Sequence, residues 1–582
     1  MRPVTVPGKD RHSTAWERDM CSSASCRWLM RWFWFDLFLI FAIALISEAA
    51  AFGRANGKTV INADSIQYIY NAEAILGGDT PDYSLRKPGY SLWLAAVGYL
   101  FGNMTWGAIV ANYGVLTLLP VAAYGIGYEF RGRWAGWLAA LLCVIQTHEF
   151  HYADRILTES LYVVLLTFGI WALIAAVKQP TAVGRWMLTG SILAAAWSVR
   201  SAAVLAIGVA VMALIGIHLL ALRSQHRTTA PAGRIHLASQ PKSLAFAIVA
   251  LLLPVFAAYT AEAASNYRSH GYFRKSTGSI GMMLLMRTRH LQGLPMPDTE
   301  EAAQCLAWLP ERSSDDAFRA NEVDTWMARY RARRSDQRSA SGGKKVRTDW
   351  DVDTTMRQTA GQIARRAPLT FLGCSLDIGI GHLLRSNRVP YGSYVDHADR
   401  YPVLSLAYSQ GLQPTHPDPV DLEMGCDWEH WWAFASMPQM SPDRQADLAV
   451  RIEQLSRERA PFAGQGPLAV LRYAAMHPLS AGLIDTVNAT RFIPPLLVLL
   501  LVCMISQRWQ LGFVLALLYL TDALLISICC PSESAAMRYR SIWLGLDAAI
   551  IGIFLSIMGS SLVVLWRARN IPKLTRNSSI PI

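Results

Sequence analysis

Apolar residues along this chain gather into runs too long to be one face of an amphipathic helix. Stretches at 35–47, 106–125, 201–222, 244–258, 492–505 and 541–566 carry few charges, and a helix needs about 20 such residues to cross a bilayer. Extending each run to its polar flanks predicts ten spans, at about 28–52, 106–129, 133–152, 160–177, 186–199, 201–222, 243–263, 490–506, 510–530 and 541–566. A shorter apolar segment, 88–101, opens on Pro88 and reads as a helix at the membrane surface or entering partway. The largest polar segment runs from 264 to 489. Within it, 350–386 and 442–459 look helical, while the basic run at 329–348 reads as a solvated loop. There is no internal repeat and no phosphate-cradling GxxxxGK[ST].

Composition agrees with lipid-facing helices. The 582 residues are 52% hydrophobic and 16% charged, with a mean hydropathy of +0.23, where a soluble chain carries about a quarter charged residues. A net charge of +12 would suit a nucleic-acid partner, but Lys and Arg also accumulate in cytoplasmic loops of membrane proteins. The second account fits and the first is set aside. With the amino terminus placed inside, Arg131, Arg133, Lys178, Arg185, the loop 223–242, Arg508 and the tail 567–582 all fall in the cytoplasm. The segments 53–105, 153–159, 264–489 and 531–540 fall on the other side. The start, residues 1–27, carries Arg2, Lys9, Arg11, Arg18 and Arg27 ahead of a long apolar run, the pattern of a cytoplasmic tail before an uncleaved helix. Nine cysteines show no CxxC spacing. Cys305, Cys374 and Cys426 lie in the polar segment, where one disulfide could form between any two.

The first external loop reads NADSIQYIYNAEAILGG and then YSLRKPGYSLW. If 63–76 is helical, Asp64, Gln67, Tyr68 and Asn71 share one face of an amphipathic surface helix, with Ile66, Ile69 and Tyr70 opposite. Asp64 is then either a helix cap or a functional carboxylate. The second loop reads THEFHYADRILTESLY. Its Arg155 and Glu159 are four apart and would pair on a helix, although an acid at the start of an apolar span also signals function. His148 and His151, beside Glu149 and Asp154, could bind a divalent metal, but without a fourth ligand at diagnostic spacing the plain reading is interfacial polar residues.

Asp64 with Tyr68, RKPGYSLWLAAVGYLFG at 86–102, DRILTESLY at 154–162 and MRYRSIWLGL at 537–546 resemble the GT-C superfamily, and more narrowly its protein O-mannosyltransferase and aminoarabinose transferase branch. The resemblance covers about 28–222 and the final spans and does not extend to the insert. It departs from the pattern at Ser65, where many mannosyltransferases carry a second acid, and at Gly89, where a second proline often follows Lys-Pro. What it implies is an all-α polytopic fold: a GT-C-like helical module of about ten transmembrane helices with a large periplasmic insert. Its parts are a cytoplasmic tail (1–27), a transmembrane module (28–263) with periplasmic catalytic loops (53–105 and 153–159), the insert (264–489), C-terminal helices (490–566) and a second cytoplasmic tail (567–582). The implied donor is a polyprenyl-phosphate sugar, drawn from membrane lipid at a bacterial inner membrane, and the acceptor is a glycan, lipid or protein, without nucleic acid. Asp64 corresponds to the catalytic carboxylate and Glu159 to the second acid of the site.

Sugar transfer from a phosphate needs a carboxylate to take the acceptor's proton and cations to hold the departing phosphate. Tyr68, Lys87, Arg155, Arg200, Arg538 and Arg540 are the candidate substrate contacts, and each arginine could instead anchor in lipid headgroups. Arg200 lies between two apolar runs with no loop to dilute it. Arg538 and Arg540 must fold back beside the first loop to take part. The rival class is a transporter or lipid flippase, which would more often show two matching halves with interrupted spans. A third is a partner-binding membrane protein working through the insert. The threading itself predicts that cysteine labelling finds position 234 cytoplasmic and position 344 external, and an external 234 would overturn it.

Overall fold

A computed structural model describes residues 24–55, 63–147, 152–225, 241–277, 280–289, 297–307, 349–384, 460–477 apart from 464, 509–529 and 541–576, with a few single positions between them. Among these residues the secondary structure is helical. The first half holds α1 (Ala24–Ala55), α2 (Ala63–Gly77), α3 (Pro88–Phe101), α4 (Met104–Leu116), α5 (Leu119–Arg131), α6 (Arg133–Thr147), α7 (Glu159–Lys178), α8 (Val183–Val199), α9 (Val204–Gln225) and α10 (Pro241–His270). The insert contributes α11 (Ile280–Arg289), α12 (Glu300–Ala307), α13 (Asp349–Arg366), α14 (Pro368–Leu384) and α15 (Pro467–Met476), and the chain closes with α16 (Trp509–Cys529) and α17 (Leu544–Arg576).

Among the described residues, seven stretches are long and apolar enough to cross a membrane: Arg31–Ala55, Met104–Arg131, Glu159–Lys178, Ser201–Leu220, Lys242–His270, Leu511–Ile528 and Leu544–Val564. The chain is thus a multi-pass membrane protein. Of the other three expected spans, α6 and α8 have 15 and 17 residues, short of the ~20 a bilayer requires, and 490–506 lies mostly outside the described residues. The second span is broken in the middle. Pro120 lacks the N–H that would continue the helix of Met104–Leu116, and Thr117 Oγ turns back to the Gly114 carbonyl at 2.6 Å.

One apolar core runs from Tyr68 to Ile557, so the final helices belong to the same bundle as the first. α17 packs on α5, α6 and α7, and α16 on α9, which brings the last helices of the chain back against the first half. Arg538 and Arg540, like His148, Glu149 and His151, the run 329–348, the stretch 442–459 and Cys426, lie outside the described residues. Cys305 and Cys374 are not bonded to each other, and buried Cys305 contacts Thr359 Oγ at 3.4 Å.

The insert's helices grip one another and the spans. α11 and α12 pack on α13, α14 on α16, and α15 on α1. Gly281 N donates to Asp353 Oδ1 at 2.6 Å, and Gln362 bridges Thr299 and Glu301. Within α1 a buried carboxylate braces three helices: Asp36 accepts bonds from Tyr124 Oη of α5 (2.9 Å) and from Arg133 Nε and a terminal nitrogen of α6 (2.7 Å each), with Arg133 also over the Trp32 ring. Asp36→Asn keeps the shape but removes the charge that two guanidinium bonds need. We expect it to cost about 1–3 kcal/mol, read as a lower melting temperature in detergent, whereas an unchanged melt would show that Asp36 is not a brace.

Candidate functional site

Five helices meet at one end of the bundle: the N-termini of α2, α3 and α7 and the C-termini of α8 and α10. α2 is held by the loop that leads on to α3. Asn71 Nδ2 donates to the Asp82 carbonyl at 2.8 Å, and Asp82 N donates back to Asn71 Oδ1 at 2.9 Å. Gln67, Tyr68 and Asn71 are buried, as is Ile69, so the polar face expected to lie on a surface is instead sandwiched in the core. Asp64 stands in the first turn of α2, and its side chain is outside the described residues. Tyr68 meets Tyr90 of α3 edge to face at 5.0 Å, with Arg86 over the Tyr68 ring at 5.8 Å.

α3 begins on Pro88, whose fixed φ suits a first helical position. At Gly89, a Cβ would stand 2.5 Å from Ser198 Oγ and 2.7 Å from the Ser198 carbonyl. This departure from the Lys-Pro-Pro pattern has a steric cause: the backbone of α3 rests on the last turn of α8. That contact carries Lys87 onto the Trp197 ring at 3.3 Å, with its Nζ 2.7 Å from Glu262 Oε2 of α10. Glu262 Oε1 takes the Ser276 N–H at 2.7 Å. Burial pushes the Lys87 ammonium down to about 8, against the pull of Glu262, and Lys275 adds to the lowering.

Glu159 opens α7, where the unsatisfied N–H groups favour negative charge. It has no exposed surface. Its Oε1 takes a 2.9 Å bond from Arg200, and Thr158 Oγ lies 3.3 Å from Oε2. Arg200, in extended conformation at the end of α8, also reaches over Tyr162 at 5.8 Å. Tyr90, in contact with Tyr68, sits within electrostatic reach of Glu159.

The expected Arg155–Glu159 helical pair does not form, because residues 152–158 are not helical. Arg155 instead lies 4.0 Å from Asp154 and over the Tyr152 ring, while its carbonyl accepts Asn112 Nδ2 at 2.9 Å. Burial pushes the Asp154 carboxyl up to about 6 against the pull of Arg155. Farther out, His270 Nε2 lies 2.9 Å from Asp82 Oδ1. Burial alone would raise Asp82, but His270 and Ser84 outweigh it and hold the carboxyl below its ordinary value. No group of three or more metal-binding side chains occurs among the described residues.

Beside Tyr162, over which Arg200 reaches, a narrow crevice of about 10 Å³, room for one water molecule, lies between α7, α9, α16 and the 3-10 turn Ser541–Trp543. Tyr162, Leu166, Ala202, Leu205, Ala206, Leu518, Asp522, Ile542 and Trp543 line it, with Asp522 held by the Trp543 indole N–H. The structure thus brings Tyr68, Lys87, Arg200 and Glu159 to one end of the bundle, with Asp64 one turn before Tyr68 on α2 and Arg155 in the loop just ahead of α7. Glu262 and Trp197 went unread in the sequence. Glu262 is an acid within the last turns of an apolar span, the same signal that singled out Glu159.

No known protein-family model and no curated protein matches the chain. It does match solved structures of GT-C glycosyltransferases at low identity. The Archaeoglobus fulgidus oligosaccharyltransferase in complex with zinc and sulfate is 11% identical over 83% of this chain and 57% of its own, with a TM-score of 0.31, so the chain spans little more than half of that enzyme's length. ArnT from Cupriavidus metallidurans bound to undecaprenyl phosphate is 14% identical over 81% of this chain and 80% of its own, at a TM-score of 0.30. Arabinosyltransferase EmbB from Mycobacterium smegmatis is 12% identical over 78% of this chain and 40% of its own, at 0.26.

Glu262→Gln keeps an oxygen for Ser276 but strands a buried ammonium, a loss of about 3–5 kcal/mol. Adding Lys87→Met should restore part of it, and additive losses in the double variant would deny the coupling. In the parent, the unfolded chain holds more protons on Lys87 than the folded one between about 8 and 10.5. Its contribution to stability therefore rises with pH across that window, and the rise should vanish in Lys87→Met.

Proposed function

We propose that this chain is a membrane glycosyltransferase that takes its sugar from a polyprenyl-phosphate donor and passes it, with inversion, to the hydroxyl of a glycan, lipid or protein acceptor. The observation that carries the reading is that one end of the bundle holds two buried ion pairs, Glu159–Arg200 and Lys87–Glu262, next to a narrow crevice between apolar helices. A donor with a charged phosphate and a hydrocarbon tail needs both environments side by side. In this reading α7, α9 and α16 part at Leu166, Leu205, Ala206 and Leu518 to admit the tail, and the phosphate meets Arg200. A guanidinium presents a planar fork to phosphate oxygens that an ammonium lacks.

In this reading Asp64 takes the proton of the acceptor hydroxyl as its oxygen bonds to the anomeric carbon. The bond from that carbon to the phosphate oxygen breaks, and the polyprenyl phosphate departs with the electron pair. Arg200 holds the growing phosphate charge, with Lys87 beside it and Tyr68 against the sugar. Glu159 fixes the guanidinium so that little reorganisation is needed as charge develops. Arg155 belongs to the loop that seats α7, and Arg538 and Arg540 are further phosphate contacts of the same reading. The active site faces the periplasm, with both chain ends in the cytoplasm. A divalent metal is compatible with the chemistry, and no step here calls on one.

The test is transfer by purified protein from a panel of polyprenyl-phosphate sugars. Asp64→Asn removes the proton acceptor with little change of shape and should lower turnover by about 10²–10⁴-fold while the protein still purifies as a single species. Glu159→Gln should reduce turnover strongly and weaken donor binding. Near-parental turnover in Asp64→Asn would reject the base, and a chain inactive with every donor would reject the reading as a whole.

A further inference from the structure

Helix α14 belongs to the polar insert by its place in the sequence, yet it carries the surface of a lipid-facing helix. Leu369, Leu372, Leu376 and Ile380 are each between 53% and 82% exposed. At 3.6 residues per turn they fall within about 80° of one another, so they form one continuous aliphatic stripe. Soluble surfaces rarely leave such a stripe bare.

Three features say what covers it. First, α14 is packed against α16, one of the candidate spans: a Cβ on Gly379 would stand 3.1 Å from Ser527 Cβ and 3.7 Å from the Ala523 carbonyl. Second, the neighbouring face of α16 presents Phe513, Leu520 and Leu524, each at least half exposed, which is the bilayer side of a spanning helix. Leu524 lies three residues before Ser527 and so next to it on the helix surface, and the α14 stripe therefore continues the α16 surface. Third, exposed Arg365 and Arg366 end α13 immediately before α14 begins at Pro368. Basic residues at the edge of an apolar helix sit where lipid phosphates lie, with their stems along the hydrocarbon boundary.

We propose that α14 is seated in the bilayer beside α16, its aliphatic stripe against lipid chains and Arg365 and Arg366 at the headgroups, so that the insert is anchored in the membrane midway along its length. The partner is membrane lipid. A second copy of the chain, or another segment of this one, would be the rival occupant.

The test uses the full chain, with native cysteines replaced, in liposomes, carrying a nitroxide label at Leu372→Cys, Leu376→Cys or Arg365→Cys in turn. Collisions with oxygen, which concentrates in hydrocarbon, are compared with collisions with a water-soluble nickel chelate. Lipid seating predicts high oxygen and low nickel access at 372 and 376, with nickel access at 365. Nickel access at 372 and 376 equal to that at 365 would place the stripe in water and overturn the proposal. Low access to both agents, with an immobilised label, would mean protein covers the stripe and would overturn it as well. A second pair of variants keeps the native cysteines. Leu372→Asp combined with Leu376→Asp should sharply reduce the yield of monodisperse protein from membranes, whereas Arg365→Ser should not, and a parental yield from the double variant would also count against lipid contact.

Discussion

A carboxylate with no exposed surface keeps its charge only if a cation is held against it, and at the start of α7 that cation comes from Arg200, 41 residues later. The pair fixes where α8 must end relative to where α7 begins. From that register come the extended backbone at Arg200, the 3-10 turn Ser201–Ala203 and the seat of Tyr162 beneath the guanidinium. It also fixes Ser198 and Trp197, the two residues on which α3 and Lys87 rest. Removing either charge would leave the other stranded in a medium where stranding is expensive.

The same logic recurs through the bundle. Lys87 is bound to Glu262 across 175 residues and His270 to Asp82 across 188, while Asp547 accepts a bond from Tyr519 and Asp522 from Trp543. Each contact joins different elements of the fold. Among apolar helices in lipid, hydrophobic contact alone selects poorly between one rotation and another, because the lipid is as apolar as the neighbour. Polar contacts of this kind choose the rotation, and those at the site end leave cations and carboxylates side by side without mutual exposure to water.

How much of this was legible in the sequence differs from residue to residue. The spans were readable because apolar length is a one-dimensional property: six of the seven candidate spans begin and end within a few residues of the expected runs, and the seventh, Lys242–His270, runs on past 263. Glu159 was readable because an acid beside an apolar run has few cheap explanations. Its partner was not. Spacing offered Arg155, and only the unwound backbone of 152–158 removes it in favour of Arg200, since a pairing rule for helices has no force where the helix has not started. Glu262 carried the same signal as Glu159 but lay near the expected end of a span, where an acid passes for a boundary. The face of α2 that was read as solvated is buried because Asn71 finds its partners in the backbone of Asp82, which side-chain periodicity does not register.

The close approach at Gly89 ties two places that look independent along the chain. The turn leading into α3 and the last turn of α8 occupy a single volume, with no side chain of residue 89 between them to yield. A loop taken from a relative with Lys-Pro-Pro could not be grafted here alone; the end of α8 would have to come with it. Residues 86–90 and 197–200 must therefore be exchanged together, and the cation over Trp197 and the cation on Glu159 are members of a single part.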